Sequence, residues 1–153
     1  MGRSRLIVDS NLSNVILISE FVRAECGRKG IDTDDISSVD QCVVEAVTNV
    51  IKHAYLGKPG NPVSIELSAT TERLDLYVRD QGLTMPQEDV ARLLNGSPVL
   101  NFDPLDLGSV PEQGMGLEII HQLIDEAAYL AEGGANCLRL TKFLRRSETV
   151  ATR

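Results

Sequence analysis

The segment 45-EAVTNVIKHAY-55 spaces Glu45, Asn49 and His53 four residues apart, which sets all three on one narrow stripe of a helix. The types suit a metal–phosphate task. An amide oxygen can ligate Mg²⁺, which prefers oxygen donors, and a carboxylate one turn away can take the proton of an attacking hydroxyl. Polar groups are costly to bury without partners, so either solvent or a ligand covers this stripe. Its neighbours Cys42, Ala46, Val50 and Ile51 are too apolar for an ordinary solvated face, although spacing alone leaves both readings open.

Two later motifs have the chemistry a nucleotide site needs. Asp80 ends an alternating run in 78-VRDQG-82, where a carboxylate can accept from an adenine amino group and the next glycine lets a base approach the backbone. Alone, D-x-G is an ordinary turn. In 114-GMGLEII-120 two glycines precede an apolar helical pattern, exposing backbone N–H groups and the positive end of the helix dipole to phosphate. Alone, this too reads as a helix start; the order of all three motifs is what gives them weight.

The elements that must position these residues follow from periodicity. Residues 5–9 read as a strand, and 10–30 as a helix with Ser10 or Ser13 as N-cap and Gly30 as its stop. The turn 32-DTDD-35 caps a longer helix from about Ile36 to Leu56, ended by 57-GKPGNP-62. Alternation in 63-VSIELSA-69 and 74-LDLYVRD-80 predicts a hairpin. The pattern then weakens from Gln81 to Gln113, with a short helix near 87–94; loops of this length inside a compact domain are often functional lids. A helix over 117–125 and strands over 127–132 and 136–144, turning at Gly133-Gly134, complete the chain. Antiparallel pairs with helices on one face make an α+β two-layer sandwich.

The whole chain agrees with a single globular domain over residues 1–153, with 42% hydrophobic and 24% charged residues. Its net charge of −7 offers no basic surplus to neutralise nucleic-acid phosphates, while an acidic face can suit a basic protein partner. No long apolar run or signal-peptide pattern is evident, so no membrane association and a cytoplasmic location are expected. Cys26, Cys42 and Cys137 lie far apart and read as free thiols.

In order, E-x-x-x-N-x-x-x-H-A-Y, D-x-G and G-x-G-L resemble the N, G1 and G2 boxes of the Bergerat-fold, histidine-kinase-like ATPase superfamily. Within it the chain resembles the small stand-alone anti-sigma factor serine/threonine kinases, through 45-EAVTNVIKHAY-55, 114-GMGLEIIHQLIDE-126 and 138-LRLTKFL-144. The resemblance runs from about Asp9 to Leu144 and implies a mixed, mostly antiparallel sheet with helices on one face. It implies ATP and Mg²⁺ as cofactors: Asn49 on the metal, Glu45 as base, Asp80 on the adenine amino group and Gly82 opening the pocket floor. Gly114, Met115, Gly116 and Leu117 would close on the phosphates, Lys52 would meet phosphate, and Thr141 would support Asp80 from behind. Implied partners are a sigma factor or comparable target, an anti-anti-sigma (STAS-type) antagonist and a second copy in a homodimer.

Two departures stand out. Thr84 replaces the second glycine of the usual D-x-G-x-G, and Arg92 is the one basic residue of the 81–113 lid, against Glu88, Asp89, Asp103, Asp106 and Glu112. Little in that lid could clamp a γ-phosphate. A module that sequesters its partner with little or no kinase activity is therefore the alternative to an active kinase.

Overall fold

Period-two alternation builds the sheet and period-four spacing builds the layer that covers it. The computed structural model describes residues 2–96 and 115–145. Its five strands, β1 (Arg3–Asp9), β2 (Pro62–Ala69), β3 (Arg73–Asp80), β4 (Glu126–Glu132) and β5 (Ala135–Phe143), form one sheet in the order β1-β2-β3-β5-β4. All four pairings are antiparallel, where the resemblance had implied a mixed sheet. The β4–β5 turn uses Gly133 and Gly134 at φ +61° and +79°, the left-handed pair that a tight hairpin favours.

The helices are α1 (Val15–Arg28), α2 (Thr33–Asn49), α3 (Gln87–Asn95) and α4 (Gly116–Leu123). Ile18, Val22 and Cys26 of α1 and Val39, Val43 and Val47 of α2 recur every four residues and are fully buried. They meet Ile65, Leu67, Leu74, Leu76 and Leu140 from the sheet in one core. On the sheet's other face, residues of opposite parity form ion pairs instead, such as Arg79 and Arg3 with Glu66.

Local chemistry refines the element ends. Ser10 does not cap a helix: its hydroxyl donates to the Lys58 carbonyl and accepts from the Asn61 amide, tying β1 to the start of β2. Asn11 caps instead, accepting from Ser13 N at the head of a 3-10 turn before α1. Asp32 caps α2, with Asp34 and Asp35 in the first turn where the dipole favours negative charge. Asp40 ties α2 to α1 through Arg23 (2.8 Å) and Ser19 (2.6 Å).

The expected long helix changes its winding part-way along. After Asn49 the backbone passes into a π-helical turn over Val50–Ala54, in which Tyr55 N reaches back to the Val50 carbonyl at 3.0 Å. Such turns occur mostly as short bulges, often at functional sites.

Candidate functional site

The cleft lies between the last turns of α2, the ends of β3 and β5, and the segment leading through α3 to α4. On the helix wall, Asn49 and His53 both line it. Glu45, one turn before Asn49, reaches the start of α4: a Cβ added to Gly116 would sit 3.0 Å from Glu45 Oε2. Partial burial raises the Glu45 pKa, and nearby Lys52 acts against that rise. Among the described residues, no hydrogen bond holds the Glu45 carboxylate or the Asn49 amide. Lys52 is exposed and does not line the cleft, so of the two basic candidates His53 is the one beside it.

The sheet end is organised very differently. Asp80 Oδ1 accepts from Gly82 N (2.9 Å) and from Asn136 Nδ2 (2.8 Å), and no donor among the described residues reaches Oδ2. Asn136 faces Asp80 across the β3–β5 register and also bonds Gly82 O, Leu83 O and the Thr84 hydroxyl. The Tyr55 hydroxyl accepts from Gln81 N and donates to Pro62 O, both at 2.7 Å, which fixes the end of β3 to the start of β2. Tyr129 accepts from Met85 N at 2.9 Å. Burial raises the pKa of both phenols.

One sequence expectation is corrected here. Thr141 does not support Asp80. It pairs with Asp75 and donates to that carboxylate at 2.6 Å, on the opposite face of the sheet. Strand alternation requires this: Asn136, Leu138 and Leu140 share the inner face, and Thr141 is out of phase with them. Asn136 was the residue to find, and its phase with the two leucines was the available signal. Gly82 is also needed against the helix. A Cβ there would lie 2.4 Å from the Ala54 carbonyl oxygen, the same oxygen that accepts from Leu83 N at 2.9 Å.

At the far end, Met115 is buried and Gly116 opens α4, with buried Leu117 lining the cleft. Gly114 and residues 97–113 of the expected lid lie outside the described residues. Arg92, the lid's basic residue, makes a paired contact with Glu118 at 2.7 and 2.8 Å and also bonds Asp89. Glu118 is almost fully buried, and the Arg92 hydrogen bonds hold its pKa below the usual carboxylate value. This contact straps α3 to α4.

The arrangement fits a magnesium nucleotide. A carboxylate oxygen open to a donor ends an apolar slot, an unbonded amide stands on the wall, and backbone N–H groups of a helix start lie beyond it. The described residues include no cluster of three or more His, Cys, Asp or Glu side chains that could hold a metal. A divalent ion would therefore rest on Asn49 together with phosphate oxygens, as Mg²⁺ commonly does.

The histidine kinase-like ATPase domain model matches residues 8–142. The serine-protein kinase RsbW of Halalkalibacterium halodurans is 31% identical over 121 residues, covering 79% of this chain and 70% of the relative. The chain belongs to the histidine kinase-like ATPases, in the family of anti-sigma factor serine kinases. RsbW of Bacillus licheniformis is 32% identical over 78% of this chain and 71% of its own length. Two solved structures share the fold at 15% identity. The RsbU and RsbW domains of Rv1364c from Mycobacterium tuberculosis give a TM-score of 0.64 over 96% of this chain, which spans 34% of that longer one. The SiaB–SiaC complex from Pseudomonas aeruginosa gives 0.59 over 89% of this chain and 88% of that one. In this chain Thr84, which stands at the position of the usual second glycine, donates its hydroxyl to Asn136 Oδ1 and completes that network.

Proposed function

We propose that this chain binds ATP with Mg²⁺ and phosphorylates a serine or threonine of a STAS-type antagonist protein. In the partner-switching cycle this implies, the chain otherwise sequesters a sigma factor or comparable target, acting as a cytoplasmic homodimer. The observation that carries the proposal is the Glu45 carboxylate, without a hydrogen-bond partner among the described residues, against the first residue of α4 and one turn from the open Asn49 amide. The names of the RsbW relatives support the kinase reading.

Asp80 Oδ2 receives the adenine amino group at the sheet end of the slot, which directs the phosphates toward Asn49 and the α4 start. Bound Mg²⁺ supplies charge neutralisation at the phosphate oxygens. Glu45 takes the proton of the incoming hydroxyl, and its raised pKa makes it a stronger base than an exposed carboxylate. Gly116 gives the Glu45 side chain room beside the helix start.

The second reading, nucleotide-dependent sequestration with little transfer, has its own observation. Arg92, the one basic residue of the lid, is engaged by Glu118 and Asp89. Incubating the protein with Mg-ATP and the antagonist encoded nearest to it, then locating phosphate by mass spectrometry, separates the two. Phosphoserine or phosphothreonine on the antagonist is expected; bound ATP with no phosphorylated antagonist would leave sequestration.

A further inference from the structure

The antiparallel registers fix which residues stand side by side on the face of the sheet turned away from the cleft. One row across all five strands reads Ile7, Ser64, Arg79, Cys137 and Leu130, and the next reads Arg5, Glu66, Tyr77, Arg139 and Ala128. Ile7 and Leu130, at the two ends of the first row, are 54% and 61% exposed. Between them lies a groove of about 430 Å³ whose lining includes Arg5, Ser64, Arg79 and Cys137. At the middle of the face the Arg79 guanidinium stands 4.9 Å from the centre of the Tyr77 ring, and Arg139 is the partner of Tyr77 on β5. The positive charge here is unevenly answered. Glu66 gives one oxygen to Arg79 and the other to Arg3. Arg5 donates only to the Ser64 hydroxyl, at 3.2 Å. Arg139 makes no hydrogen bond or ion pair among the described residues, and its Nε is buried without a partner. A buried donor left unpaired costs stability, so a group that brings the missing acceptor gains from it.

We propose that this face docks an acidic segment of a protein partner, with carboxylates on Arg5 and Arg139 and aliphatic side chains on Ile7 and Leu130. Tyrosine and arginine framed by exposed aliphatic residues is the composition of a protein interface, and those two types carry much of the binding energy in one. The arginine fork matches a carboxylate through two parallel hydrogen bonds. A second copy of the chain is the poorer occupant. A two-fold contact sets the middle of a face against itself, and here that brings Arg79 and Arg139 against their own counterparts. A nucleic acid is poorer as well, because Asp9 and Glu132 stand at the two edges beyond the first row and repel phosphate. The docking face lies opposite the nucleotide cleft and does not depend on what that cleft binds.

The test follows alkylation of Cys137 by iodoacetamide in the full chain, located by mass spectrometry, because Cys26 and Cys42 are buried and Cys137 lines the groove. Two short synthetic peptides serve as probes, one alternating glutamate with leucine and the other lysine with leucine. The glutamate peptide slows the reaction and the lysine peptide does not. In Arg139→Ala and in Arg5→Ala the peptide concentration giving half protection rises about tenfold, while both variants melt with the wild type. If Arg139→Ala melts lower, the exposed Arg5 decides through its alanine variant. No protection in the wild type, equal protection by the two peptides, or an unchanged half-protection concentration in the deciding variant overturns the proposal. Protection that grows with protein concentration alone, together with a dimer in sedimentation, assigns the face to a second copy and overturns it too.

Discussion

At the sheet end of the cleft, Asp80, Asn136 and Thr84 are joined side chain to side chain, whereas Glu45 and Asn49 on the helix wall carry no side-chain hydrogen bond among the described residues. The difference separates recognition from chemistry. A group that reads a ligand gains from being fixed beforehand, because ordering it on binding would cost affinity. A group that must take a proton or a metal has to be kept available, and it weakens the fold while it waits. Burial of Glu45 without a bonded partner is one such cost.

The largest effect expected on this contrast is at Glu45. Glu45→Gln should cut phosphorylation by about 10²–10⁴-fold while nucleotide still binds, measured by single-turnover transfer and equilibrium titration. Its pKa is raised, so the charged form is disfavoured in the folded state and costs stability at neutral pH. That cost fades as pH falls through the raised value. Glu45→Gln should therefore melt higher than wild type at neutral pH, with the gap closing in acid. The transfer rate of the wild type should fall with acidification above pH 4.5, the ordinary value for this carboxyl. A wild-type transfer rate in Glu45→Gln would remove the base assignment.

Next in size, Asn49→Ala should abolish the Mg²⁺-dependent part of nucleotide affinity, seen as equal titrations with and without the ion. Gly82→Ala forces a methyl to 2.4 Å from the Ala54 carbonyl and should cost about 1–3 kcal/mol in urea unfolding, with weaker nucleotide binding. Arg92→Ala leaves Glu118 buried without its main partner, at about 1–3 kcal/mol. The lowered Glu118 pKa adds stability that is present above its unfolded value and lost as pH falls through the folded one, so this variant and wild type should converge in acid. Thr141→Val should be the smallest, about 1 kcal/mol of stability with no change in nucleotide affinity. A large loss of nucleotide binding in Thr141→Val would restore the role the structure removed from it.

Much of this was legible in the sequence because it is periodic. Val39, Val43 and Val47 announce α2, and the alternation of Leu74, Leu76 and Val78 announces β3. The motif residues Glu45, Asn49 and Asp80 could be picked out by type and spacing. What escaped was set by tertiary register. Thr141 and Asn136 are both polar residues on β5, and only the pairing with β3 shows which one meets Asp80. The π turn also escaped, because residues 50–54 have ordinary helical composition and the change lies in which carbonyl each amide chooses.

That turn has an effect on how the site can change over time. The link from Ala54 O to Leu83 N, which suspends the loop after Asp80 from the end of the helix, is made wholly of main chain. No substitution deletes it except proline at position 83, so the link itself survives a change of either side chain. The constraint falls on Gly82, whose missing side chain is the clearance the link requires. Variation in this chain's descendants should therefore leave the link intact at 54 and 83, where only the pocket lining changes, and stop at 82.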